Sequence, residues 1–248
     1  VGTFDASGKN NFDAIQHEGA ARIARIAAEE GVARMVHISA IGADIDGESL
    51  YARSKGKGEE AVKAAFPSAV ILRPSVVFGP EDQFFNRFAK MARMSPMLPL
   101  VGAETRFQPV YVDDLAHAAQ LGVLGQAGSG LYELGGPDTA TFRELMVEML
   151  ATVRRRRLIL PLPFWLGSLM GAVTGFFSTI SGGLLPQPIT VDQVKALRSD
   201  NVVSDGAKTF ADLGITPTAM EAVLSSYLWQ FRPSGQYAEL KESARNLR

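Results

Sequence analysis

The sequence predicts an α/β fold: a doubly wound parallel sheet followed by a smaller, mostly helical region. Three observations carry this prediction. The first third alternates helix, strand, helix, strand, an order that pairs strands in parallel through right-handed crossovers. Of 248 residues, 46% are hydrophobic and 21% charged, which excludes a disordered, collagen-like or disulfide-scaffold protein. Finally, four consecutive arginines (Arg154, Arg155, Arg156, Arg157) are followed by a stretch, residues 158–191, without a single charge. That shift divides the chain into a sheet-bearing part over residues 1–153, a helical part over 154–231 and a polar tail over 232–248.

Taken in order, residues 11–30 place Ile15, Ala20, Ile23, Ile26 and Ala27 at helical spacing, and Gly31 follows as a C′ residue. Residues 34–39 form a short buried strand. Residues 49–66 form a second helix, stopped before Pro67, and residues 69–73 a second apolar strand. Beyond Pro80 come a helix over 84–94 and a strand over 107–112. A helix capped by Asp113 then runs to Leu124, and a strand over 131–134 is closed by Gly135 and Gly136. Thr141 and Glu144 have capping-box spacing and open a helix to about Val153. Near the C-terminus, Thr216 and Pro217 suit the cap and first position of a last helix.

Composition also limits the chemistry. The net charge is −1, so nothing marks the chain for nucleic acid. The absence of cysteine excludes disulfides, thiol catalysis, iron–sulfur ligation and Cys-type zinc sites. The three histidines, His17, His37 and His117, are far apart, and no metal site is expected. His37 and His117 read as structural residues, and Arg73 as the holder of a strand-end turn. Phe84, Phe85 and Phe88 read as the inner face of a helix, and Met91, Met94 and Met97 as packing.

The chemistry-bearing pair is Tyr51 and Lys55, at i and i+4 on one helix face. An ammonium beside a phenol lowers the phenol pKa and lets it exchange a proton nearer neutrality. Alone, this spacing is weak. Here it follows a strand ending in Ser39 and precedes a turn running from Arg73-Pro74 to Phe78-Gly79-Pro80. In these three features the chain resembles the extended short-chain dehydrogenase/reductase superfamily, whose fold is Rossmann-like.

That resemblance implies a nicotinamide cofactor, NADP(H) or NAD. Tyr51 would be general acid/base, Lys55 would orient the ribose, and Ser39 would polarise the substrate or remain as a vestige. Pro74, Ser75 and Val76 would face the carboxamide, and Gly2 and Thr3 would line the cofactor at the end of a fourth strand. Two departures stand out. The family's Gly-rich G-x-x-G-x-x-G loop, which belongs between a first strand and helix, is expected nowhere in the chain, and sequence before Val1 is expected. The family's catalytic Ser/Thr position falls on Ala40, one past Ser39.

Within the superfamily, one branch matches further residues: Gly58-Glu59, Phe66-Pro67, the Phe78 to Asn86 stretch with Glu81, Asp82 and Phe84, then Gln108 to Asp114, then Leu160 to Phe164. These resemble the nucleotide-binding accessory subunits of respiratory complex I. The resemblance implies a non-catalytic, NADP(H)-holding subunit among complex I subunits near the junction of the peripheral and membrane arms. It would be peripheral on the cytoplasmic side of a bacterial inner membrane or the matrix side of the mitochondrial one. A free-standing NAD(P)-dependent epimerase, dehydratase or dehydrogenase is the alternative, and a nucleotide-free interaction module a third reading. The apolar residues 158–180 admit three accounts: docking on a partner or the membrane surface, packing within the chain, or a spanning helix. With the arginines, residues 154–185 are the candidate lipid contact.

Overall fold

In a computed structural model, residues 9, 11–180 and 189–237 are described. Three parallel strands, β1 (Val36–Ile38), β2 (Val70–Pro74) and β7 (Gly130–Leu134), form the main sheet in the order β1-β2-β7. Val36 pairs with Val70 and Val70 with Gly130, so all three strands end on the same side. These are the three apolar strands expected from sequence. β1 departs from its expected burial: Ile38 is 41% exposed. Among the described residues β1 pairs only with β2, so its outer edge carries no neighbour.

A π-helical turn, Asp13–Glu18, leads into α1 (Gly19–Glu29), which ends on Gly31 in the left-handed conformation at φ +65°. The second helix, α2 (Leu50–Ala65), starts with Ser49 as N-cap, its side chain accepting from the Ala52 N–H. A small core of Ala24, Val62, Phe66 and Ala69 joins α1, α2 and the sheet.

The rest of the chain packs α4 (Val112–Leu124) on the main sheet and builds a second region beside it. β3 (Val77–Phe78) leads to α3 (Phe85–Met94), β4 (Met97–Val101) and β5 (Arg106–Phe107). Then follow β6 (Val110–Tyr111), α4, β8 (Ala140–Thr141) and α5 (Phe142–Thr152). The chain continues with β9 (Leu158–Leu162), α6 (Phe164–Ile180), α7 (Val191–Ala196) and α8 (Met220–Leu228). β3 pairs with β6 and β4 with β9 in parallel, whereas β5 and β8 are antiparallel. The largest core lies here, between α3, α5 and α8, around Phe78, Phe85, Leu145, Met146, Met149 and Leu228.

Thr141 and Glu144 form the expected capping box. Other expectations are corrected. The strand over 107–112 is broken into β5 and β6. α4 starts at Val112 with Tyr111 as N-cap, which leaves Asp113 in the first turn, favourable to the dipole but not the cap. α8 starts at Met220 rather than Pro217, because Asp114 takes the Thr218 N–H and hydroxyl and holds that segment extended. Met91 packs on the core, yet Met94 is 71% exposed. The apolar stretch 158–180 is not one helix: its first five residues pair with β4, and Pro163 separates them from α6. Among the described residues, no helix is long and apolar enough to cross a membrane. Of the polar tail over 232–248, residues 238–248 lie outside those described.

Candidate functional site

The site forms at the C-terminal ends of β1 and β2, where open α/β sheets bind ligands. Ser39 follows β1 directly and is 3% exposed; its N–H donates to the Leu72 carbonyl at 2.7 Å. Its hydroxyl and His37 Nε2 are the buried side-chain polar atoms among the described residues without a hydrogen-bond partner. Burial, and next the Lys55 charge, lower the His37 pKa to about 4, so this imidazole is neutral in the fold.

Tyr51 and Lys55 occupy one face of α2, as expected. Their electrostatics are not as expected: burial pushes the Tyr51 phenol up to about 12. Its ring packs edge-on against Phe12, with centroids 6.0 Å apart. Lys55 is buried and donates Nζ to the Ile38 carbonyl at 3.2 Å; burial lowers its pKa, and Glu59 opposes that shift. The ammonium is thus engaged by the end of β1.

Two glycines let α2 seat tightly. A Cβ at Gly56 would stand 2.6 Å from the Asp44 and Ile45 backbone, and one at Gly58 would collide with the Gln16 carbonyl. Next to them, Ser54 donates to Gln16 Oε1 at 2.8 Å. At the helix start, Asp192 of α7 accepts the Leu50 and Tyr51 N–H groups at 2.6 and 3.1 Å. One turn past Lys55, Glu59 is 1% exposed and holds Arg73 in a two-point ion pair, 2.7 and 2.9 Å. Arg73 also reaches Glu133 and the Ala43 carbonyl, so it fixes the strand-end turn.

Pro74, Ser75 and Val76 stand at the end of β2, but their polar groups are used within the fold. Pro74 O accepts from the Ile41 N–H, and Val76 O accepts from the Val110 N–H. The Ser75 hydroxyl contacts Asn201 at both Oδ1, 2.7 Å, and its carbonyl oxygen, 2.8 Å. Asn201 Nδ2 donates to the Ile41 carbonyl at 3.4 Å. Sequence reasoning missed Asn201 and Asp192. Each acts across more than a hundred residues, 126 for Ser75 to Asn201 and 141 for Tyr51 to Asp192, and no local spacing signals such a contact.

The Phe78 to Asn86 stretch is organised by Asp82. Its carboxylate accepts the N–H groups of Gly79, Phe84 and Asn86 and, at 2.6 Å, the hydroxyl of Tyr227 on α8. This stretch therefore caps α3 and docks the C-terminal helix.

A cavity of about 340 Å³ adjoins the end of β2, where Val76 and Asn201 form part of its wall. Phe84, Phe88, Phe107 and Phe142 also contribute, and α6 and α7 supply Met170 and Gln193. Of the four arginines ahead of β9, Arg155 and Arg157 donate to the Phe231 and Ala92 carbonyls, so part of that cluster is structural.

Gly2 and Thr3 lie outside the described residues. The spacing G-x-x-G-x-x-G does occur once, at Gly122, Gly125 and Gly128, correcting the expectation of a chain without such a loop. It sits at the C-terminal end of α4, where Gly125 at φ +74° ends the helix. A helix C-terminus repels phosphate, so these glycines do not fit a pyrophosphate. Gly122 instead admits Val36 and Val70 against the helix.

A family model described as the RmlD substrate binding domain matches residues 43–232. NADH dehydrogenase (ubiquinone) 1 alpha subcomplex subunit 9, mitochondrial, of Arabidopsis thaliana is 36% identical, over 91% of this chain and 58% of that protein. The mitochondrial NADH-ubiquinone oxidoreductase 40 kDa subunit of Neurospora crassa is 30% identical, over 92% of this chain and 58% of that one. The chain therefore spans just under three-fifths of these relatives. The Thermus thermophilus UDP-glucose 4-epimerase, solved with NAD, superposes with a TM-score of 0.58 at 17% identity, over 94% of this chain and 76% of that structure.

Proposed function

Because this chain belongs to the RmlD substrate binding domain family, we propose that it supplies the nicotinamide-side part of a nucleotide-holding accessory subunit of NADH:quinone oxidoreductase. Residues 1–153 carry the nucleotide side and 154–231 the substrate or docking side. The bound dinucleotide, NADP(H) or NAD, is a structural element whose binding free energy stabilises the fold.

The observation that carries this reading is the state of the Tyr51–Lys55 pair. Lys55 gives one of its three Nζ donors to the Ile38 carbonyl, and burial pushes the Tyr51 phenol up to about 12. Such a pair orients a ribose but is poorly set to exchange protons at neutrality. Ala40, one residue past Ser39, removes a further hydroxyl from the site. The orphan Ser39 hydroxyl fits a ligand at the sheet end, since buried hydroxyls are ordinarily paired. When bound, a nicotinamide supplies hydride chemistry; the residues here bind and orient it. Among the described residues no glycine-rich turn precedes a helix N-terminus, so the phosphates need other residues. The two mitochondrial relatives, by their names, support complex I subunits as partners.

The site of attachment is the junction of the peripheral and membrane arms, with the protein peripheral on the matrix or cytoplasmic side. Exposed Trp165, Leu169 and Val173 on α6, with Arg154 and Arg156 exposed ahead of β9, are the candidate surface for anionic lipid within residues 154–185. The test is native electrophoresis of detergent-solubilised membranes with mass spectrometry of the bands and analysis of acid-released nucleotide. Co-migration with NADH:quinone oxidoreductase and recovery of dinucleotide are expected. Recovery only as a small soluble species that turns over sugar nucleotides or secondary alcohols overturns the reading in favour of a free-standing enzyme.

A further inference from the structure

The ladder of β4 and β9 turns an apolar face to solvent. In its parallel register Met97 pairs with Leu158 and Pro99 with Leu160, and residues so paired lie on one side. The opposite side is closed: Leu98 and Leu100 are buried in the largest core, and Ile159 packs against it. Met97, Pro99, Leu158 and Leu160 are all exposed, Leu158 at 63%, and so is Met94 just before β4. The solvent side of a one-sided sheet is ordinarily polar, whereas this one presents only apolar side chains. Val101, next on this side, is buried and packs against Gly167, so the open face ends at α6.

The charge around this face has one sign. Between Asp82 and Glu104 the sequence holds Arg87, Lys90 and Arg93 and no acidic residue. Between Glu148 and Asp192 it holds the four arginines and again no acidic residue. β4 lies in the first of these segments and β9 in the second. Arg157, directly before β9, donates Nε to the Ala92 carbonyl at 2.7 Å, next to Arg93 in the chain. Arg155 donates Nε to the Phe231 carbonyl at 2.8 Å. Burial, and then the charges of Arg157 and Arg93, lower the Arg155 pKa, as happens where guanidinium groups gather without a carboxylate among them. Among the described residues, Arg93, Arg155, Arg156 and Arg157 take part in no ion pair. Arg93 and Arg156 are exposed.

We propose that the outer face of the β4–β9 ladder docks on an anionic phospholipid bilayer, with Met97, Leu158 and Leu160 at the boundary of headgroups and acyl chains and Arg93 and Arg156 on headgroup phosphates. The charge complementarity selects this occupant. A protein surface of mixed charge would meet cations without acidic counterparts, whereas anionic headgroups match basic groups of one sign. Guanidinium forks pair with phosphate oxygens in two-point contacts, and apolar burial adds to the electrostatic attraction at such an interface. The inference deepens the lipid contact proposed above and rests on the accessory-subunit reading for the presence of a membrane; it extends that contact from α6 to the ladder.

The test is flotation of the purified protein with vesicles of phosphatidylcholine alone or of phosphatidylcholine mixed with phosphatidylglycerol. Binding to the mixed vesicles and none to the neutral ones is expected. Leu158→Ser with Leu160→Ser should weaken it about tenfold. Arg93→Gln with Arg156→Gln, at exposed positions that the fold does not use, should also weaken it about tenfold and flatten its salt dependence. Equal binding to neutral vesicles overturns the proposal, as does indifference to either pair of substitutions. Inorganic phosphate that releases the protein more effectively than chloride of equal ionic strength overturns it in favour of a soluble phosphate ligand. A stable dimer that Leu158→Ser with Leu160→Ser dissolves overturns it in favour of a second copy of this chain. Loss of flotation with co-migration intact strikes this face alone, and flotation without co-migration strikes the accessory-subunit reading.

Discussion

Asp192 and Tyr51 lie 141 residues apart in sequence, and the Asp192 carboxylate accepts the Tyr51 N–H at 3.1 Å. The same carboxylate takes the Leu50 N–H at 2.6 Å. Two N–H groups that a helix start leaves unsatisfied are thus closed by a residue from the C-terminal region, while Ser49 closes a third. The negative charge also lies at the favourable end of the helix dipole. The position of the Tyr51–Lys55 face is therefore set partly by α7.

Removing this contact is predicted to loosen α2. Asp192→Ala should lower stability by about 1–2 kcal/mol, and Asp192→Asn, which keeps an acceptor, by less than half of that. Urea denaturation of the two variants checks it. Equal losses would mean that the negative charge and the second carboxylate oxygen, rather than a single accepted hydrogen bond, carry the contact.

Ser39→Ala is predicted to leave stability unchanged or to raise it by up to about 1 kcal/mol, because it deletes a buried hydroxyl without a partner. The same change should weaken dinucleotide binding by about tenfold, measured by fluorescence of bound NADPH. A clear loss of stability would show that the hydroxyl is satisfied in the folded protein and is not held for a ligand.

His37 predicts an acid-side loss of stability. Its folded pKa of about 4 lies below the ordinary 6.5, so the unfolded chain binds the proton first. The contribution is complete above pH 6.5 and is lost as pH falls from 6.5 towards 4, in total about 3 to 3.5 kcal/mol and most of it by pH 4.5. Denaturation midpoints at pH 7 and pH 4.5 should diverge in the native chain and converge in His37→Phe by roughly that amount. An unchanged difference in the variant would assign the acid sensitivity to carboxylates instead.

Asp82 and Tyr227 are predicted to be energetically coupled. The 2.6 Å bond joins a carboxylate to a largely buried phenol whose pKa is raised, first by burial and then by that bond. A double-mutant cycle with Asp82→Asn and Tyr227→Phe should give a coupling of about 1–3 kcal/mol. Additive losses would mean that the bond contributes nothing beyond packing of α8.

Much of this architecture was legible in residue order. The apolar runs around Val36, Val70 and Leu131 give the three parallel strands, and Gly31, Ser49 and Thr141 mark helix ends by local chemistry. Local signals failed where a distant group decided the outcome. The start of α8 is fixed by Asp114, the shape of the Ser75 turn by Asn201, and the high pKa of Tyr51 by its burial. Residues 158–162 were ambiguous because an apolar run reads alike as strand or helix until its partner, β4, is known.

The close seating of α2 on the Gln16 carbonyl and the Asp44–Ile45 backbone makes its helicity a tertiary property. Gly56 and Gly58 make this segment a poor helix by itself, costing about 1 kcal/mol each relative to alanine. Those same glycines admit the contacts that hold it once the chain has collapsed. The helicity of the segment bearing Tyr51 and Lys55 therefore depends on these tertiary contacts rather than on local propensity. Its amide hydrogens should exchange at the rate of global opening rather than by local fraying.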